Sequence, residues 1–218
     1  MRLYAAVLVL AVGALPSGGQ SLRLRSDNDA YRFWIPTAVR TDQEYSSGLH
    51  LQQERPGAHG WGRLLGAIEP CGAAWGSRCA MTTVGFGQKI FTPRIDSTAW
   101  VSGQRPYAGW LYVEGSAAVA TARMHRAAGV ELGVTGGPSA AAWVQTRVHD
   151  LLGMWHPQGW VDQVPFEPAL TVRYDEQRLF SRGGSRLSVQ LIPGAGASLG
   201  SVRTEARAGM RPRRPATP

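Results

Sequence analysis

The residues best suited to chemistry in this chain are an acid–amide triplet, Asp27-Asn28-Asp29, and an amide–imidazole pair, Gln145 and His149. Two carboxylates flanking an amide can hold a hard cation through oxygen or orient a substrate carbonyl. Asp and Asn are depleted in strands, so three in succession on what reads as the first strand are out of place. A solvated strand end or an Asx-turn is the plain alternative. Gln145 and His149 fall on one face if their segment is helical. Imidazole titrates near neutral pH, which suits His149 as a general base toward water. A lone histidine on a helix is nevertheless more often a surface residue. Ser46, beside Tyr45, adds a hydroxyl suited to positioning. Gly196-Ala197-Ser198-Leu199-Gly200 has the Gly-x-Ser-x-Gly spacing but lies in an alternating segment with no helix after it, so no nucleophile elbow is present, which disfavours a serine acyl-enzyme. His50, His59, His125 and His156 have no comparable neighbours and are read as structural.

Elements must bring these groups together, and past residue 20 the dominant signal has period two. Leu22 and Leu24 alternate with Arg23 and Arg25, Leu49 and Leu51 with His50 and Gln52, and Val130, Leu132 and Val134 with Glu131, Gly133 and Thr135. Strands are expected near 22–34, 47–55, 80–91, 108–121, 127–136, 166–179 and 185–199, with a broken eighth near 202–210. Half-apolar strands suit either a soluble antiparallel sandwich or a membrane barrel with a polar lumen. A counterface of Arg, Glu, Gln and Gly favours the barrel. So do aromatics near strand ends (Tyr31, Phe33, Trp34; Phe86, Phe91; Tyr107, Trp110, Tyr112), read as interfacial girdles. One segment breaks the pattern: Ser139 to Leu152 is Ala-rich, starts on a Ser N-cap after Pro138 and stops at Gly153, which predicts a helix inside a connection. If the N-terminus is periplasmic, strand one ascends and the 35–46, 92–107 and 137–165 connections lie on the outer side. Asp27-Asn28-Asp29, Tyr45-Ser46 and the His149 helix then meet at one rim, and the Cys71–Cys79 turn falls on the opposite side.

Bulk properties point the same way. Arg2, an apolar run from Leu3 to Leu15 and Pro16-Ser17-Gly18-Gly19 have the order of a secretory signal peptide, assigned to residues 1–20. That run is too short to span a bilayer, and no second apolar stretch is long enough, leaving an exported soluble protein or an inserted barrel. Cys71 and Cys79 fit a local disulfide in an oxidising compartment; a reactive or metal-binding thiol gains nothing from their spacing. The net charge is +8 with a pI near 10.3, carried almost wholly by arginine. Without an interleaved basic–aromatic platform, this speaks against nucleic acid and for a phosphate-rich lipid surface. Lys89 and Arg105 are candidates for lipid phosphates, although Lys89 reads equally as a lumen charge and Arg105 as a loop anchor. The Arg- and Pro-rich stretch 211–218 is expected to be a disordered tail.

Taken in order, several segments resemble the outer-membrane lipid A 3-O-deacylase family. They are Ser26-Asp27-Asn28-Asp29, Thr41-Asp42-Gln43-Glu44-Tyr45-Ser46-Ser47-Gly48-Leu49 and Gly87-Gln88-Lys89-Ile90-Phe91-Thr92-Pro93. There follow Arg105-Pro106-Tyr107-Ala108-Gly109-Trp110-Leu111-Tyr112, Gly133-Val134-Thr135-Gly136-Gly137-Pro138, then Gln145 and His149, and finally Gly159-Trp160-Val161-Asp162-Gln163 with Glu167-Pro168. The resemblance implies an outer-membrane barrel of about twelve strands that hydrolyses the ester-linked 3-position acyl chain of lipid A in lipopolysaccharide, with calcium. It maps the family's Asn-Asp pair to Asn28 and Asp29, its threonine to Ser46, and its helix glutamine and histidine to Gln145 and His149. Asp29, with Asp27, then offers oxygen ligands to Ca2+, which would polarise the carbonyl. Serine in place of threonine keeps the hydroxyl and loses a methyl. The chain has 218 residues, and after the signal peptide it holds about eight strands of ordinary length rather than twelve. A C-terminally truncated barrel over 21–210 is therefore expected, with a shorter closed barrel or completion by oligomerisation as alternatives. Two rival functions are an inactive barrel remnant and a soluble β-sandwich that binds anionic glycans.

Overall fold

The computed structural model describes residues 20–28, 47–57, 63, 69–70, 78–93, 102–154, 156–183 and 188–213. Residues 1–19 of the expected 1–20 signal peptide, Asp29, Tyr45, Ser46, Cys71 and the tail beyond Arg213 lie outside the described residues.

Alternating sequence becomes one antiparallel sheet. Its strands are β1 (Ser21–Asn28), β2 (Ser47–Pro56), β4 (Cys79–Phe91), β5 (Ala108–Ala120), β6 (Met124–Thr135), β7 (Pro168–Arg178), β9 (Ser188–Gly200) and β10 (Glu205–Arg213), each paired with the next. Two short strands lie off this path: β3 (Glu69–Pro70), parallel to the start of β4, and β8 (Phe180–Gly183). β7 and β8 keep one register against β9, with Gln177 opposite Gly194 and Phe180 opposite Leu191. The break between them faces Ile192-Pro193, where proline has no N–H for a ladder bond. The expected strands are thus all found wherever residues are described.

The sheet is inside out relative to a soluble protein. One row of directly paired residues runs Leu24–Leu51–Phe86–Val113–Leu132–Leu170 across six strands. Its members are exposed, Val113 at 53% and Leu132 at 54%. The other face buries Glu114, Glu131, Thr171 and Ser198. Glu114 and Glu131 are register partners, and both are bridged by Arg173, at 3.1 Å and 3.2 Å. Gln52 donates to Glu114 at 2.6 Å, His50 Nε2 lies 3.3 Å from it, and Arg203 reaches Glu131 at 3.6 Å. A sandwich would instead bury its apolar faces between two sheets. An apolar exterior over a polar, ion-paired interior is the pattern of a transmembrane barrel wall.

The two ends of the sheet differ. At one end β5 and β6 are joined by a tight turn, in which Thr121 Oγ1 accepts from the N–H of Met124 at 3.0 Å. At the other, the connection from β6 to β7 runs from residue 136 to 167 and carries helix α1 (Ala141–Leu152). Short periplasmic turns and long outer loops are the rule for such barrels, so α1 is extracellular. No helix among the described residues is long and apolar enough to cross a membrane.

Three expectations are corrected. Trp110 and Tyr112 do not form a girdle: both are buried on the polar inner face, stacked with ring centroids 4.4 Å apart, because their strand parity matches that of Glu114. Tyr107 is buried beneath α1, and Phe86 sits in the middle of the apolar belt. α1 begins at Ala141 rather than Ser139: Pro138 closes a tight 3-10 turn, Gly137–Ser139, whose exit places Ala140 at φ 56° before the helix starts. β10 runs through Arg213, three residues into the expected tail, since Pro212 sits on a strand that among the described residues is paired along one side only. Cys79 is disulfide-bonded, as the compartment argument expected, and the only other cysteine of the chain is Cys71.

Candidate active site

α1 is clamped to the outer face of the wall at the extracellular rim. At Gly109 the chain approaches so closely that a methyl group would collide with Ser139 Oγ and Ala141 Cβ. Ile90, the register partner of Gly109, packs with Ala141, Tyr107 and Trp160 in one buried cluster. The Gln88 amide donates to the Ser139 carbonyl at 2.7 Å. The Ser139 hydroxyl donates in turn to the Gly136 carbonyl. Glycine, a small helix residue and a short turn together let a helix lie directly on a sheet.

The clamp fixes which face of α1 is hidden. Ala141, Gln145 and His149 recur every fourth position and are its buried residues, with His149 only 8% exposed. Burying a neutral amide and an imidazole at a lipid-facing wall is costly unless they are used or bonded. Gln145 is held: the Trp160 indole N–H donates to its Oε1 at 2.9 Å. Trp160 lies in a second 3-10 turn, Gly159–Asp162, and packs on Tyr107 at 4.9 Å between centroids. Because the carbonyl oxygen of Gln145 is occupied this way, its NH2 is the end that can donate to a bound oxygen. Trp160 and Tyr107 belong to quoted motifs, but nothing in the sequence pattern assigned them this holding role.

The rim also places the first strand. Asn28 is the register partner of Ser47, Ser47 of Ile90, and Ile90 of Gly109, so one row leads from the end of β1 to the foot of α1. Asp27 belongs to the alternate row with Gly48, Lys89 and Trp110. It faces the lumen and pairs with Arg25 at 3.0 Å. Strand alternation thus separates Asp27 from the Asn28 row. Among the described residues no group of three His, Cys, Asp or Glu side chains could hold a metal ion.

Lys89 is likewise interior. Its ammonium sits over the rings of Trp110 and Tyr112, at 4.9 Å and 5.4 Å. Arg105 remains at the rim, its guanidinium 4.9 Å over the Phe91 ring. Of the other histidines, His50 sits beside Glu114 in the lumen and His156 lies 2.8 Å from Asp150.

Comparison with known proteins adds two findings. The family described as Outer membrane protein LpxR matches residues 3–214. The fold matches the solved structure of LpxR from Salmonella typhimurium with a TM-score of 0.62 at 18% identity, over 83% of this chain. The chain spans 58% of the length of that structure. No curated protein matches the sequence.

Proposed function

The chain belongs to the LpxR family of outer membrane proteins, and on that premise we propose that it is a lipid A 3-O-deacylase, an ester hydrolase of lipopolysaccharide. The observation that carries this reading is the burial of Gln145 and His149 on the one face of α1 turned to the outer wall. A polar pair at that place lies between α1 and the outer face of the wall, on the side of the layer in which lipid A resides and not in the lumen.

The proposed chemistry is hydrolysis by activated water. His149 takes the proton from a water molecule, whose oxygen attacks the ester carbonyl carbon. The C–O bond to the sugar then breaks, the acyl chain leaves as the carboxylic acid, and His149 returns its proton to the sugar 3-oxygen. Gln145, with its oxygen held by Trp160, donates N–H to an oxygen of the substrate. Asn28, at the end of β1, and Ser46 position the acyl and sugar groups. Asp29 is the proposed calcium ligand; the lumen position of Asp27 and its Arg25 partner give that residue no part in the proposal. Bound calcium would supply polarisation of the carbonyl. Arg105 is the proposed contact for a lipid phosphate, and Lys89 is assigned to the lumen.

The test is release of the 3-hydroxyacyl chain from lipid A by the full chain in outer-membrane vesicles. His149→Ala is expected to abolish release while the protein keeps its heat-modifiable gel mobility, and a chelator is expected to abolish release by the unaltered protein. Full activity in the variant removes His149 as the base; full activity in chelator removes calcium.

A further inference from the structure

We propose that α1 and the described residues of the loop that follows it, 153–154 and 156–166, are seated in the lipid layer itself, forming the upper border of the apolar belt against outer-leaflet acyl chains. The proposal rests on the outer-membrane placement of the sheet and names the surroundings of the candidate site.

The belt of the sheet is too short on its own. On β6 the outward apolar positions run from Ala128 to Val134, and below them Arg126 forms a 2.9 Å ion pair with Glu176, a polar lower limit. Those six steps cover ~20 Å along the strand and ~15 Å of height at the usual tilt, against a lipid-facing band of ~25 Å. The shortfall of ~10 Å is about the width of one helix with its side chains. α1 lies where the missing height begins, on Ile90 and Gly109, next above the row of Leu49, Gln88, Leu111 and Val134, in which the Gln88 amide is bonded to the Ser139 carbonyl at the foot of the helix.

Its outward surface has the composition such a border needs. Leu151 is 82% exposed, Val161 76% and Trp143 64%, with Phe166 at 58%. A helix that buries one face on a wall and is still apolar on the other is unsuited to water. Arg147 and Asp150 stand among these residues as an exposed pair 3.8 Å apart, so the arginine stem can lie along the apolar surface while the paired heads stay at the headgroup level. The occupant is therefore lipid, continuous with the lipid already covering Phe86, Val113 and Leu132.

Site-directed spin labels test this in the full chain, reconstituted in phosphatidylcholine vesicles. The disulfide-bonded Cys79 does not take the label. Leu151→Cys and Val161→Cys are compared with Val113→Cys in the belt and Ser102→Cys in an exposed outer turn. The expected result is oxygen collision as frequent as at Val113, with nickel-chelate collision lost relative to Ser102. Labels at 151 and 161 that track Ser102 would place the shoulder in water and overturn the proposal. Low collision with both reagents would mean a second protein copy covers it, which overturns the proposal equally. If Val113 and Ser102 themselves do not differ, the sheet is not in lipid, and the proposal falls with that placement. Deacylase activity plays no part in the readout, so an inactive protein with lipid-exposed labels would sink the proposed function alone.

Discussion

Gln145 is gripped at its oxygen by Trp160 at 2.9 Å, and Trp160 is itself packed on Tyr107. Trp160→Phe keeps most of the ring packing and removes the donor, freeing the Gln145 amide to rotate. One neutral buried hydrogen bond is worth ~1 kcal/mol, so deacylation is expected to fall roughly five-fold, chiefly in kcat. Gln145→Ala should cost more, and Trp160→Phe should add little to it, since both act through one amide. Additive losses measured on acyl release would show that Trp160 acts elsewhere. At this scale the sequence was readable where a local period governs. Gln145 and His149 share a face because a helix repeats every 3.6 residues. Asp27 and Asn28 part because strand neighbours point to opposite faces. Trp160 was not readable as a partner of Gln145: its contact crosses two turns and depends on how the connection folds over the rim.

The helix works as a part of the site only if it stays seated, and one glycine permits that. Gly109→Val would drive a side chain into Ser139 and Ala141 at the foot of α1. Overpacking of this kind costs ~1–3 kcal/mol if the elements hold together, and less if the helix lifts away. Lifting is the easier response, because α1 hangs on a connection while β5 is bonded on both sides. Gly109→Val is therefore expected to retain the folded gel band and lose acyl release by at least the factor seen for Gln145→Ala. Loss of the folded band instead would show that Gly109 serves the sheet and not the seating of the helix. Strand identities were legible from periodicity and the helix from its Ala-rich composition and Gly153 stop, whereas the start of α1 was not. Ser139 looked like an N-cap, but after Pro138 the chain makes a 3-10 turn and Ala140 takes the N-cap place; the Ser139 hydroxyl donates to the Gly136 carbonyl and accepts from the N–H of Ala141 at 3.4 Å.

Across the whole molecule, what replaces an oily core is the lumen network around Arg173. Glu114 and Glu131 stand directly opposite each other and are buried, a placement that requires a cation between them. Arg173 supplies it to both, from the adjacent strand β7. The network also specifies register: a slip of one residue would turn these carboxylates out into lipid and bring Val113 and Leu132 inside. The alternation foretold which residues face inward, but not that one arginine would bridge two strands, since that depends on β6 pairing with β7. Removing one partner of a buried ion pair costs ~3–5 kcal/mol, mostly because the remaining charge is stranded. Arg173→Met should accordingly lower the temperature at which the folded gel band converts to the unfolded one. Adding Glu114→Gln and Glu131→Gln to it should restore most of the loss, because neutral amides opposite each other can bond with the remaining polar neighbours. A triple variant no more stable than Arg173→Met would mean that the guanidinium contributes packing volume to the lumen, with charge compensation secondary.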